Sequence, residues 1–299
     1  MLTGYFAAEE FREQLLTEIG GADLVHGRLL LKAGPPVPAA WAQNVWHDVL
    51  RIGIDSIGDA DRKLRAIQRN WVAYAHELHR RTALIQAKLP PIRPKPHVFP
   101  KPAPTAPLGC WTLLDERTLL AAPRCSSPFP HGEVRFAENK SAPPNRAYLK
   151  LWEALTLAGS MPGKGDRCLD LGASPGGWTW VLQQLGASVV AVDKAPLDPG
   201  IAALPAVEQR LASAFSLDPA TEPPVDWLCS DVVCYPARLL ALVQRWMAAG
   251  KARNFVCTLK FQGATDHDAA RAFAAIPGSR LMHLYHNKHE LTWIRLAAR

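Results

Sequence analysis

The sequence predicts an α/β chain whose C-terminal part, from about residue 146, is a doubly wound and mostly parallel sheet, preceded by a smaller α+β region. Three observations carry this expectation. Short apolar runs recur from residue 168 onward and alternate with stretches of helical periodicity, the order that builds parallel βαβ units. A glycine-rich turn, Asp170-Leu171-Gly172-Ala173-Ser174-Pro175-Gly176-Gly177-Trp178, joins the first of these runs to an apolar helical stretch, Thr179 to Leu185. A tract with eight prolines, Pro90 to Pro107, follows a helical and strongly basic segment.

Taken in order, residues 1 to about 58 combine a helix-like segment, Ala8 to Ile19, with a strand-like one, Arg28 to Lys32. Leu64, Ile67, Trp71, Tyr74, Leu78, Leu84 and Ile85 then recur at helical spacing, which predicts one helix from Asp59 to Lys88. Proline lacks an amide donor and disfavours helix before it, so 90–107 reads as an extended connector. Cys110 to Leu114 and Thr118 to Leu120 read as a strand hairpin, with a loop over Ala122 to Pro144 leading to a helix from Arg146 to Leu157. Strands are expected at Cys168–Leu171, Val189–Val192, Trp227–Ser230, Asn254–Leu259, Leu281–Leu284 and Leu291–Leu296, with helices at Pro236 to Met247 and Asp266 to Ala275. The expected division is therefore 1–107, 108–145 and 146–299.

The 299 residues, 48% of them hydrophobic, suffice for two packed cores. Net charge is +7, and Ala60 to Lys101 alone carries ten Lys or Arg against two acidic residues. The six cysteines form no C-x-x-C pair and lie mostly in apolar runs, so they read as reduced core thiols rather than a metal site or disulfide frame. Glu9, Glu10 and Glu13 stand where a signal peptide needs a basic and then an apolar segment, and no run approaches a membrane span. A cytoplasmic protein is expected.

A strand, a glycine turn and a helix make a nucleotide-type pocket at the C-terminal edge of a parallel sheet. Glycine removes the Cβ atoms that crowd a close approach, and the helix N-terminus leaves unpaired N–H groups beside it. Pro175 ends the strand and shapes the turn. A second apolar strand, Ala187 to Val192, ends in Asp193, where a carboxylate can accept both hydroxyls of a ribose. G-x-G-x-x-G spacing is absent and no Gly-Lys-Ser/Thr follows, so neither a dinucleotide nor a P-loop triphosphate fits. The pattern fits S-adenosylmethionine, which has an adenosine ribose and no phosphate.

Four charged residues fall near the same sheet edge. Asp231 follows Trp227–Ser230, Lys260 ends Asn254–Leu259, Glu290 opens the last strand, and Lys150 lies in the helix before the glycine turn. Singly, each has an ordinary explanation: a solvated helix lysine, a turn-capping Asp231, an edge charge at Glu290. Together they suit methyl transfer to a ribose hydroxyl, with a lysine accepting the hydroxyl proton beside a second cation and two carboxylates orienting the amines. His283, His286 and His289 cluster in a terminal hairpin without matching carboxylates, and no metal is expected.

These residues resemble the Lys-Asp-Lys-Glu tetrad of the FtsJ-like RNA ribose 2′-O-methyltransferases. Arg146 to Ala154, Cys229 to Val233 with Pro236-Ala237-Arg238, Asn254 to Lys260, and Leu284 to Thr292 resemble the bacterial large-subunit ribosomal RNA methyltransferase M family, which methylates a cytidine ribose of 23S rRNA. The resemblance covers residues 108 to 296 well and 1 to 107 weakly. It implies a Rossmann-like S-adenosylmethionine-dependent methyltransferase domain and an N-terminal region similar to a ferredoxin-like THUMP module, here shortened. By that likeness Lys260 is the general base, with Lys150, Asp231 and Glu290 tuning and positioning it. Gly172, Ser174, Pro175, Gly176, Gly177, Asp193 and Asp231 are the expected cofactor contacts, with Ala147 beside them. The family's adenine-side aspartate is matched by Ser213, and its basic, aromatic segment after the catalytic lysine is replaced by Phe261-Gln262-Gly263-Ala264-Thr265.

RNA is the expected partner, because a basic face neutralises phosphate and Trp71 and Tyr74 can stack on unpaired bases, although their spacing also suits core packing. Other chemistries fit less well. Exocyclic-amine methyltransferases present Asp/Asn-Pro-Pro-Tyr/Phe where this chain has Ser230-Asp231-Val232-Val233, and Cys234 lacks the Pro-Cys context of base C5 chemistry. The alternative from another class is a catalytically idle RNA-binding factor in ribosome assembly that retains the fold.

Overall fold

The structure is a computed structural model that describes residues 1–297. The chain forms two compact units, residues 1–97 with 103–135, and residues 98–102 with 136 onward.

The first unit contains β1 (Leu2–Ala7), α1 (Arg12–Ile19), β2 (Leu24–His26), β3 (Leu29–Ala33), β4 (Ala42–His47), β5 (Leu50–Gly53), α2 (Ile57–Ile67), β6 (Trp71–Ala73), α3 (His79–Lys88), β7 (Gly109–Asp115), β8 (Thr118–Ala122) and β9 (Arg124–Cys125). One sheet has the order β2-β3-β1-β4-β9 and a second the order β5-β8-β7-β6. In the first sheet β1-α1-β2-β3 is followed by β4 with no helix between β3 and β4, and the antiparallel order β2-β3-β1-β4 is that of a ferredoxin-like sheet without its second helix, while the second sheet is an addition to that pattern.

Two further expectations change here. The single helix over 59–88 is two helices with a strand between them. Gln68 is fully extended, at φ −163° and ψ 174°, and Leu78 turns into α3 at φ +51°. Trp71 is the cause. Its ring is fully buried, its Nε1 donates to the carbonyls of Leu64 and Gln68, and its strand pairs with β7 opposite Gly109. A Cβ on Gly109 would sit 2.7 Å from the Trp71 ring, so the hairpin supplies the space the indole fills. The helical stripe fails accordingly, with Ile67 and Leu84 left exposed. Secondly, the hairpin of β7 and β8 is the centre of this unit's second sheet rather than part of a separate 108–145 linker, and the units divide after Arg135.

The second unit contains α4 (Tyr148–Ala158), β10 (Arg167–Leu171), α5 (Gly177–Gln184), β11 (Ser188–Asp193), α6 (Pro199–Ala202), β12 (Val207–Leu211), β13 (Val225–Ser230), α7 (Pro236–Ala248), β14 (Ala252–Lys260), α8 (His267–Ala274), β15 (Ser279–Met282) and β16 (Glu290–Arg295). Its sheet has the order β12-β11-β10-β13-β14-β16-β15, parallel from β12 to β14, with β16 antiparallel to both neighbours. This is the expected Rossmann-like, doubly wound architecture. Strands buried on both faces need continuous apolar runs, which is why β10, β11, β13 and β14 were readable. The edge strand β12, Val-Glu-Gln-Arg-Leu, has no such run and was not expected, and β15 lies two residues before its expected position. All six cysteines are free thiols, and five are buried.

Candidate active site

Strand order reverses between β10 and β13, the place where an open α/β sheet splits into a crevice. The turn after β10 meets the loop after β13 there. Gly172 adopts φ +80°, and a Cβ on it would lie 2.6 Å from the Val232 Cα. Its glycine is thus required by a protein backbone as well as by the crevice. Gly176, at φ +117°, caps α5, and a Cβ there would meet Ile201. The Trp178 indole donates to the carbonyl of Ala147 at 2.9 Å and fixes α5 to the start of α4.

A cavity of about 480 Å³ opens at this point, lined by Asn145, Gly172, Ser174, Asp193, Ser213, Asp231, Val233, Arg238 and Lys260 among others. That volume lies in the usual range for small-molecule sites. The Asp193 carboxylate is held by two backbone donors, Ser174 N–H at 3.1 Å and Ala195 N–H at 3.0 Å, and so faces the cavity in a set orientation. Gly172, Ser174, Asp193 and Asp231 therefore come together at one cavity. Pro175, Gly176 and Gly177 form the turn and the start of α5 instead of the cavity wall. Ser213 lines the wall, and its hydroxyl accepts the Phe215 N–H.

The four charged residues converge. Lys150 Nζ lies 2.7 and 2.9 Å from the two Asp231 carboxylate oxygens and 3.1 Å from Glu290 Oε1. Lys260 Nζ donates to the Asp231 carbonyl at 2.6 Å and lies 3.2 Å from its Oδ1. Sheet register produces this meeting, because Lys260 and Glu290 are directly opposite on β14 and β16. Burial alone pushes the Lys150 ammonium down, but Asp231 and Glu290 together outweigh it and hold its pKa above the ordinary lysine value. Lys150 is consequently the amine fixed as a cation, while Lys260 faces the cavity.

Asp170 is fully buried. One of its oxygens accepts the Thr179 hydroxyl at 2.7 Å and the other has no hydrogen-bond partner among the described residues. Burial, with Asp231 and Asp193 adding to it against the Thr179 hydrogen bond, pushes its pKa up to about 7.

Glu153 lies within the segment Arg146 to Ala154 and had no role assigned from sequence. Its carboxylate, 1% exposed, accepts the Tyr285 N–H at 2.8 Å and the His286 N–H at 3.1 Å, and pairs with His286 Nδ1 at 2.7 Å. One turn of α4 beyond Lys150, it thereby ties down the loop that delivers Glu290. The signal was present in sequence: α4 is apolar on every side, and a charge in such a helix must be buried and paired. The three histidines of that loop are each engaged locally, His283 with the Lys288 carbonyl, His286 with Glu153 and His289 with Thr265. Among the described residues no group of three or more His, Cys, Asp or Glu is arranged to hold a metal.

In the first unit, Trp71 is wholly buried and unavailable for stacking, and the Tyr74 hydroxyl accepts the Arg28 N–H. On α2, Arg62 and Lys63 share Asp59 and Arg65 pairs with Asp61, which neutralises part of the basic segment. Among the described residues no helix is long and apolar enough to cross a membrane.

Residues 143–273 match the FtsJ-like methyltransferase family. The chain is similar to the ribosomal RNA large subunit methyltransferase M of Halorhodospira halophila, 38% identical over 172 residues that cover 55% of this chain and 50% of that protein. It is also similar to the protein of that name from Xanthomonas oryzae pv. oryzae, 31% identical over 249 residues that cover 78% of this chain and 68% of the relative. The chain thus spans about half the length of several relatives it matches. Among solved structures, a 1,6-didemethyltoxoflavin-N1-methyltransferase of Burkholderia thailandensis with bound S-adenosylhomocysteine has a TM-score of 0.37 at 19% identity, covering 52% of this chain and 80% of that one.

Proposed function

The chain belongs to the FtsJ-like methyltransferase family, within its ribosomal RNA large subunit methyltransferase M group, and from that premise we propose that it methylates a ribose 2′-hydroxyl of RNA. The observation that carries this reading is one carboxylate, Asp231, shared by two lysines of which one is fixed as a cation.

The cavity suits S-adenosylmethionine. Asp193, set by two backbone donors at the sheet edge, would receive the ribose hydroxyls, and the turn from Gly172 to Ser174 would border the adenosine. When bound, that cofactor supplies a methyl group on a sulfonium, a carbon open to attack by oxygen. Lys260 takes the proton from the 2′-hydroxyl through Nζ, and the oxygen gains nucleophilicity as the proton leaves. Lys150 remains protonated, so the proton has one destination. Asp231 holds both amines in place, and Glu290, opposite Lys260 on the neighbouring strand, offsets the charge that builds when Lys260 becomes an ammonium. The substrate is a cytidine of large-subunit rRNA, and the site of action is the cytoplasm.

Lys260→Ala is expected to lower methyl transfer by about 10²–10⁴-fold while cofactor affinity stays within twofold. Transfer of labelled methyl groups to rRNA from cells lacking the gene, with product nucleosides mapped after alkaline hydrolysis, checks this. An alkali-resistant dinucleotide identifies ribose chemistry, and label confined to a base overturns it. Cofactor binding without transfer points to the idle assembly-factor reading.

A further inference from the structure

Loop 231–235, between β13 and α7, has an unusual pattern of exposure. Val233 is 71% exposed and Tyr235 66%, while Cys234 between them and Pro236 after them are buried. The two buried residues anchor the loop. The Tyr235 carbonyl also accepts the N–H groups of Arg238 and Leu239 at 3.0 and 3.3 Å as the cap of α7. The backbone is therefore held and the ring is turned to solvent by the fold, at the usual cost of exposing apolar surface.

The placement is selective. Among the described residues of the second unit, Tyr235 and Tyr285 are the exposed aromatic side chains. Each lies in a loop that delivers a member of the charged tetrad, Tyr235 four residues after Asp231 and Tyr285 five before Glu290. β15 runs parallel to β14, so the loop carrying Tyr285 leaves the sheet at the same edge as Lys260. The rim also carries cations: Lys194 and Arg238 line the cavity, whose acidic lining is Asp193 and Asp231, and Lys288 is exposed in the second loop.

We propose that Tyr235, supported by Val233, is the stacking platform for the unpaired base of the nucleotide whose 2′-hydroxyl is offered to Lys260. This rests on the methyltransferase reading and goes beyond it by naming how the substrate nucleotide is held. In a nucleoside the base is attached to the carbon next to the one bearing the reacting hydroxyl, so a ribose placed at Lys260 brings its base within one ring of the tetrad. Every base has a π-face, and stacking on an aromatic side chain is the common way in which proteins hold unpaired bases. Phosphates on either side of that nucleotide match the cations of the rim.

The test is steady-state methyl transfer to a large-subunit rRNA transcript by the full chain and its Tyr235 variants, with cofactor affinity measured separately by calorimetry. Tyr235→Ala is expected to raise KM for RNA roughly tenfold, with kcat and cofactor affinity within twofold of wild type, and Tyr235→Phe to restore KM. An unchanged KM in Tyr235→Ala overturns the platform. So does a Tyr235→Phe as impaired as the alanine variant, which assigns the effect to the hydroxyl. A second readout does not depend on turnover. Tryptophan fluorescence of Tyr235→Trp is expected to be quenched by an oligocytidylate more strongly than that of wild type, and equal responses overturn the proposal. If wild type transfers no methyl group, the methyltransferase reading fails and this quenching still decides the platform.

Discussion

The two units treat similar charges in opposite ways. In the second, the Lys150, Asp231 and Glu290 side chains are 10, 14 and 9% exposed and satisfy one another within 3.1 Å. In the first, Arg62, Lys63 and Arg65 on α2 pair with Asp59 and Asp61 while remaining 76, 42 and 48% exposed. Surface pairs of the second kind exchange one solvated arrangement for another. Buried charges forfeit their hydration and are maintained only if each has its partner. A protein gains little stability from the buried arrangement over an apolar one of the same shape, so its presence at a strand edge beside a cavity points to chemistry.

The comparison breaks most severely at Lys150. Lys150→Met leaves Glu290 without its lysine and Asp231 with Lys260 alone, and unfolding free energy is expected to fall by about 3–5 kcal/mol. Adding Glu290→Gln should recover part of the loss. Denaturant titration measures both, and an unchanged midpoint for Lys150→Met contradicts the buried-cluster account.

Asp170 sharpens it at an intermediate scale. Its folded-state pKa of about 7 lies above the ordinary carboxylate value, so between roughly pH 4 and pH 7 the folded protein retains a proton that the unfolded chain has lost. Stability from this group is complete below that window and declines as pH rises through it. Asp170→Asn, which keeps an acceptor for Thr179, is expected to flatten the decline by a few kcal/mol across that range. Melting curves at pH 5 and pH 8 that show the same slope for wild type and variant would contradict the assignment.

The smallest effect belongs to the surface. Asp61→Asn removes the partner of Arg65 one turn away on α2 and should cost about 0.3–0.5 kcal/mol, diminishing with added salt. A loss above about 1 kcal/mol would remove the contrast between the two units.

The site was more legible than the first unit because its signals are short-range. Gly172, Asp193, Asp231 and Lys260 each follow or end an apolar run, and strand ends of a parallel sheet converge wherever those runs are recognised. Lys150 was harder to read, since a helix lysine is ordinarily solvated, yet the apolar residues on every side of it and of Glu153 marked both as buried. In the first unit the strands are two to seven residues long and several pair out of sequence order, β1 with β4 and β5 with β8. A single aromatic residue there reversed an otherwise helical pattern.

From local patterning alone, the chain determined the central strands of its second sheet, its glycine turn, the carboxylate at the end of β11 and the four charged residues near the strand ends. Apolar period and chain breakers act over a few residues, and that is enough to set strand ends. Tertiary structure decided the rest: the register that sets Lys260 opposite Glu290, the carboxylate of Glu153 closed around the loop of Tyr285 and His286, and the strand at Trp71. Each of these depends on a partner between 30 and 133 residues away, and no local preference specifies which distant group will satisfy a buried charge or fill the space beside a glycine.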